Sequence, residues 1–299
     1  MKILITGGTG FIGSALAKHL VAAEEDVTVL SRSPENVAAI CGAKVKALGS
    51  LNSLQADDYF DVIVNLAGAG IFDSRWTEAR KQLIRASRIN LTGELLQAID
   101  KMTVKPKLLI SGSAIGYYGN QGDTPLDEQA ATVPDFSQQL CADWEGEAMK
   151  AEQFGLRVCL IRTGLVLANG GGLLKRMLLP FQLGLGGCLG NGLQWMSWIH
   201  REDWIRIVQQ MMADNSMQGA YNATAPNPVT NAEFTQALAH CLKRPALLPV
   251  PAWLLKALLG EMSDLVLGSQ RVLPQRLLAQ GFKFHYPDLD GALRQSLGK

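Results

Sequence analysis

Seven residues near the amino terminus constrain this chain more than any others. A short apolar run, residues 2–6, passes without a break into Gly7-Gly8-Thr9-Gly10-Phe11-Ile12-Gly13, and apolar residues then recur at helical spacing through Leu16 and Leu20. A run of that kind reads as a strand buried on both faces. Gly7, Gly10 and Gly13 stand every third residue between that strand and the first turn of a helix. Glycine there permits a tight turn and lets bare N–H groups approach an anion, which the partial positive charge of the helix start attracts. Strand, glycine turn and helix in that order form the arrangement that holds a dinucleotide pyrophosphate. Thr9, Phe11 and Ile12 share the loop and are expected at the cofactor too.

Residues 26–31 read as a second strand that ends at Ser31 and is followed by Arg32 and Ser33. The end of this strand meets the adenine ribose in dinucleotide folds, where a carboxylate binds the 2′-hydroxyl of NAD and an arginine accommodates the 2′-phosphate of NADP. No carboxylate stands there. Ser31 and Arg32 therefore point to NADP, or NADPH in its reduced form, rather than NAD. The other reading of Arg32 is a solvated loop cation.

Residues 62–66 form another buried strand, ending in Asn65-Leu66-Ala67-Gly68. Residues 75–101 read as one long helix or two abutting ones and contain Asn90-Leu91-Thr92-Gly93. A fifth strand, 107–111, runs into Gly112-Ser113-Ala114-Ile115-Gly116-Tyr117-Tyr118-Gly119. Further along, 137–154 reads as a helix, 157–167 as a sixth strand with its exit, 195–200 as a strand, 202–213 as a helix and 281–285 as a late strand. Thr230 with Glu233 three residues on is a capping box for a helix through Leu242. His200 reads as a hydrogen-bonding residue at a helix entry, with Asp203 in the first turn where its charge suits the dipole.

The run TGGTGFIG, residues 6–13, resembles the cofactor loop of the extended short-chain dehydrogenase/reductases, which include nucleotide-sugar epimerases. Asn65 to Gly68 is similar to the family's N-x-A-G element, Asn90 to Leu96 to its N-x-x-G-x-x-L-L helix, and residues 111–119 to the epimerases' S-S-S-A-x-x-Y-G. Ser269-Gln270-Arg271 and Gly281-Phe282 resemble the C-terminal extension of an atypical branch labelled "epimerase family" or "cell division inhibitor". The resemblance covers essentially the whole chain and implies cofactor contacts from Asn65, Leu66, Ala67, Gly68, Asn90 and Ser111. It also implies an active-site hydroxyl at Ser113, and a turn beside the nicotinamide at Arg162, Thr163 and Gly164.

One part of the family pattern is missing. Its catalytic Tyr-x-x-x-Lys pair would fall on Phe136 and Leu140, or with a shift of one on Ser137 and Cys141, and no tyrosine occurs between Gly119 and Tyr221. Another group must then move the proton, or none does. Tyr117, Tyr118, Cys141, Asp143 and Glu145 are the candidates, with Ser113, Tyr117 and Glu145 taken as the catalytic set.

The expected fold is α/β, a Rossmann-like doubly wound parallel sheet with a smaller mixed C-terminal substrate lobe. Residues 1–165 would bind NADP, with 199–213 and 221–223 returning to that domain, and 166–299 would form the lobe. At 299 residues with 47% hydrophobic and 18% charged residues, the chain can bury a large core. A net charge of +1 without a basic block excludes nucleic acid as the main partner. The five cysteines are odd in number, widely spread and lack a C-x-x-C pair, which fits reduced thiols in the cytoplasm and no metal site. The expected partner is a small molecule, with no membrane, for a monomer or homodimer. Two roles stay open: an NADP-dependent oxidoreductase or epimerase-like enzyme, and a non-catalytic protein that senses NADP(H).

Overall fold

The computed structural model describes residues 1–299. Its centre is a seven-stranded, all-parallel sheet: β1 (Lys2–Thr6), β2 (Asp26–Leu30), β3 (Lys46–Leu48), β4 (Val62–Asn65), β5 (Leu108–Ala114), β6 (Arg157–Thr163) and β7 (Gly219–Ala223). The order across the sheet is β7-β6-β5-β4-β1-β2-β3. Strand order reverses between β1 and β4, so this is a Rossmann-like, doubly wound sheet whose ligand crevice lies beyond the carboxyl ends of those strands.

Successive side chains of each strand go to opposite layers. Ile3, Ile5, Leu108, Ile110, Cys159 and Ile161 join one core with the helices Gly13–Ala22 and Arg201–Ala213. Leu4, Leu109, Val158 and Leu160 join a second core under the helix Ile89–Lys101. The helix Arg201–Ala213 and strand Gly219–Ala223 thus pack with the sheet, as do Leu277 and Phe282 from the far C-terminus. A third core, around Leu174, Phe181, Trp198, Phe234 and Leu293, belongs to the C-terminal lobe. No helix is long and apolar enough to cross a membrane.

Some expected elements are corrected and others hold. The helix after Asp135 is Phe136–Met149, and 150–154 is a 3-10 turn. The sixth strand breaks at Gly164, whose N–H bonds Ala223 O at 3.1 Å, and Leu165–Leu167 then pairs with Trp198–His200. The expected strand over 195–200 divides at Ser197. Its carbonyl accepts from Leu165 N at 2.8 Å, and its hydroxyl accepts from Val272 N at 2.8 Å. Residues 281–285 form no strand, because the buried Asp203 carboxylate takes the amides of His285 and Tyr286 at 2.8 and 2.9 Å. The helical region 75–101 is two helices, Glu78–Ala86 and Ile89–Lys101. Thr230 and Glu233 form the capping box of the helix Asn231–Leu242, and His200 Nδ1 accepts from Glu202 N at 3.3 Å as helix N-cap.

Candidate functional site

The loop between β1 and its helix is built so that side chains cannot intrude. Gly7 has φ +68°, and a Cβ on it would lie 2.7 Å from the Leu66 backbone. A Cβ on Gly13 would lie 2.4 Å from Gly7 O. Backbone crosses backbone at both points, so each position demands glycine. Gly10 N donates to Gly7 O at 3.0 Å and closes the turn. Ile12, at the N-cap of the helix, offers no side-chain cap, and the first turn carries no acid. Its orphan N–H groups and the dipole are therefore left for an anion. Thr9 is half-buried, Gly10 exposed and Phe11 half-buried. Phe11 lies against Gly171, where a Cβ would come within 2.1 Å of its ring, and under the Arg201 guanidinium at 4.8 Å. β2 lies beside β1, and Arg32 and Ser31 follow it, Arg32 exposed and Ser31 half-buried, with Ser31 Oγ accepting from Ser33 N at 3.1 Å. These features fit a dinucleotide.

Beyond β4 the chain turns at Leu66-Ala67-Gly68. The buried Thr6 hydroxyl accepts from Leu66 N and Ala67 N, both at 3.1 Å, and donates to Asn65 Oδ1 at 2.7 Å. Asn65 Nδ2 donates to Thr92 Oγ1 at 2.8 Å and lies 3.4 Å from Ser111 Oγ. Asn65 and Ser111 are 1% and 0% exposed. Both side chains are turned inward and hold the 66–68 turn from beneath. Gly68 is exposed and packs on the Arg88 guanidinium, 2.7 Å from where its Cβ would be. Asn90 lies on the outer side of its helix. It is exposed, and Thr92 is the inward residue, bonded to Asn65, to Trp144 Nε1 at 3.2 Å and to Arg88 O at 2.7 Å.

The chemically distinctive cluster lies at the ends of β5 and β6, where Ser113 is in register with Arg162. Glu145 descends onto the pair from the helix Phe136–Met149. Ser113 Oγ donates to Glu145 Oε1 at 2.6 Å, and Arg162 grips the same carboxylate through Nε and Nη2, each at 2.9 Å. All three are buried. Burial opposes the charge on Arg162, but the hydrogen bonds and charge of Glu145 outweigh it and raise its pKa above the ordinary guanidinium value. Arg162 is thus turned inward onto Glu145. Thr163 and Gly164, one and two residues on, face a cavity instead.

Three of the other proton-transfer candidates touch that cluster, Tyr117 and Tyr118 at Arg162 and Cys141 at Ser113, and Asp143 does not. Tyr118 is fully buried, receives Arg162 Nη1 at 3.0 Å and donates to Asn222 Oδ1 at 2.6 Å; burial pushes its pKa up to about 12. Tyr117 lays its ring on the Arg162 guanidinium at 3.4 Å and does not line the cavity. Burial also pushes the Cys141 thiol up to about 12. Asp143 is paired with Arg85.

The cavity itself, about 580 Å³, opens beyond Ala114 and Thr163, the residues next after Ser113 and Arg162. Phe136, Ser137 and Leu140 form one wall, so apolar groups and a serine hydroxyl stand where the Tyr-x-x-x-Lys pair was sought. Trp76 lines it too, its ring edge-on to Phe136 at 4.8 Å, while Arg75 turns away to the carbonyls of Ala257 and Leu258. Residues from 189–197 and 261–270 close the far side. Apart from Gln270, which belongs to the Ser269-Gln270-Arg271 motif, no motif marks these residues and only the fold brings them together.

A family model described as "NAD dependent epimerase/dehydratase family" matches residues 3–224, and one described as "Domain of unknown function (DUF1731)" matches 250–296. The chain is 40% identical over 303 residues to an Arabidopsis thaliana "Epimerase family protein SDR39U1 homolog, chloroplastic", covering 98% of this chain and 86% of that one. It is 39% identical to "Epimerase family protein YfhF" of Bacillus subtilis, covering 99% and 97%. Among solved structures, human epimerase family protein SDR39U1 (isoform 2), crystallised with NADPH, superimposes with a TM-score of 0.90 at 34% identity, covering 100% and 99%.

Proposed function

From the premise that this chain belongs to the NAD-dependent epimerase/dehydratase family, we propose that it is an NADP(H)-dependent oxidoreductase or epimerase-like enzyme acting on a small molecule held in the 580 Å³ cavity. Gly7, Thr9, Gly10, Phe11, Ile12 and Gly13 would hold the pyrophosphate, Ser31 and Arg32 the 2′-phosphate, and Leu66, Ala67 and Gly68 the adenosine. Thr163 and Gly164 would lie beside the nicotinamide. The human relative's structure with NADPH supports that cofactor. When bound, the cofactor supplies or receives hydride.

The observation that carries the reading is the short bond from Ser113 Oγ to Glu145 Oε1. Arg162 neutralises the Glu145 carboxylate and fixes its plane, so it receives the serine proton in one geometry. Ser113, next to the cavity-lining Ala114, would offer its lone pairs to a substrate hydroxyl reaching that point. As the substrate is oxidised, its hydroxyl proton passes to Ser113 Oγ while the serine proton passes to Glu145 Oε1. In reduction the same two protons return. Ser113 and Glu145 thereby take over a task that the family assigns to tyrosine and lysine.

A panel of alcohols with NADP⁺ and carbonyl compounds with NADPH, followed by cofactor absorbance, tests this. Turnover lost in both Ser113→Ala and Glu145→Gln, with NADPH affinity retained, is the expected result. Turnover undiminished in Glu145→Gln overturns the relay. The apolar Phe136 and Leu140 on the cavity wall favour a second reading, an NADP(H) sensor without chemistry; tight cofactor binding with no turnover across the panel would select it.

A further inference from the structure

The wall of the cavity carries no lysine, arginine or histidine; its charged side chains are Asp135, Glu261 and Asp264. Burial and the neighbouring Asp135 charge raise the Asp264 pKa, with Lys256 opposing. Three cations that touch wall residues from outside each have a carboxylate partner. Arg176 stacks on Phe72 and pairs with Asp73 at 3.5 Å; Arg271 stacks on Trp195 and pairs with Asp123 at 3.6 Å; Lys81 lies over Phe136 and pairs with Glu261 at 2.5 Å. A phosphate brought into this space would lose water against hydrocarbon with no cation of the wall to replace it, and would meet the exposed, unpaired carboxylates of Asp135 and Asp264.

Of the buried polar side chains in the wall, Gln194, Ser197 and Asn231, only Gln194 has an oxygen without a partner in the chain. Gln194 is 7% exposed, and its Nε2 donates to Leu189 O and Val266 O, both at 3.0 Å. Because both partners are carbonyls, the NH₂ must face them and the amide oxygen must face the other way. That oxygen accepts no hydrogen bond within the chain and is free for a donor on a ligand.

We propose that the cavity takes an uncharged, mainly apolar molecule bearing a hydroxyl or N–H group, and excludes phosphorylated compounds, nucleoside-diphosphate sugars among them. The inference names the substrate class for the cavity of the preceding reading and rests on it. Its volume suits a ligand of drug size with a few polar contacts. Trp76, Phe136 and Leu140 would cover the apolar body, Gln194 would receive the donor, and the carboxylates would repel an anion.

Calorimetry on the protein with and without NADPH tests this with two matched pairs, 2-naphthaleneethanol and geraniol, each against its own phosphate monoester, together with UDP-glucuronic acid. Each alcohol should bind at least about tenfold more tightly than its ester. The hydroxyl-free 2-ethylnaphthalene should fall well below 2-naphthaleneethanol, and UDP-glucuronic acid should give no saturable heat. Leu265→Arg, which puts a cation in the wall, should raise the esters' affinity at least about tenfold and leave NADPH affinity unchanged. Esters that bind as tightly as the alcohols, alcohols that do not bind, or saturable binding of UDP-glucuronic acid overturn the inference. NADPH affinity is read separately by cofactor fluorescence. Its absence sinks the preceding reading, while the alcohol-to-ester ratio without cofactor still decides this one.

Discussion

Arg162 meets Glu145 in a two-point ion pair, 2.9 Å on each arm, at 4% and 6% exposure. Removing one member leaves the other charge buried without a partner. Arg162→Met should therefore destabilise the fold by about 3–5 kcal/mol, whereas the double variant Arg162→Met with Glu145→Leu should recover much of that loss and remain inactive. Urea unfolding of both checks it, and a double variant no more stable than the single would refute the account.

Arg32 stands exposed at the end of β2, beside the glycine loop. Arg32→Ala should weaken NADP(H) by roughly 1–3 kcal/mol and change NAD(H) binding little. Fluorescence titration with both reduced cofactors measures it; equal losses would show that Arg32 does not read the 2′-phosphate.

Gly13 and Gly146 predict opposite results from the same substitution. A Cβ on Gly13 collides with Gly7 O, while one on Gly146, exposed on the helix Phe136–Met149, meets nothing within 4 Å. Gly13→Ala should lose cofactor affinity and stability. Gly146→Ala should gain about 0.5–1 kcal/mol through helix propensity. Thermal unfolding and NADPH titration of the two variants compare them.

His200 is buried at a helix N-cap, and burial lowers its pKa below the ordinary value. The unfolded chain therefore takes up a proton near pH 6.5 that the folded chain refuses. Stability should fall as pH drops below about 6.5 and stop changing on this account once the folded pKa is passed. His200→Asn, which keeps a capping side chain, should flatten that slope in urea midpoints measured across the range. An unchanged slope would assign the dependence to other groups.

Local signals were legible in the sequence where local chemistry decides the structure. Gly7 and Gly13 are such a case, because a turn of that curvature admits no side chain. Thr230 with Glu233 is another, because a capping box needs only three residues' separation. For the helix of Asn90, the resemblance located the helix but could not report its rotation, which turns Thr92 inward. Residues 281–285 read as a strand by composition, yet a carboxylate distant in the chain, Asp203, takes the amides that a neighbouring strand would have used. The Glu145–Arg162 pair was out of reach for the same reason: it exists only once a helix has packed on two strands. Glu145 and Ser113 were both recognised as candidates, but the bond between them was not.

The outermost strand of the main sheet, Gly219–Ala223, is made late and pairs with β6 along its whole length. A nascent chain emerging from the ribosome must therefore wait, with the β6 edge bare, until some sixty residues beyond that strand have been translated. A gene fragment ending at residue 165 would carry the cofactor loop intact and still expose that edge to self-association. Any minimal nucleotide-binding unit cut from this protein has to extend past Ala223.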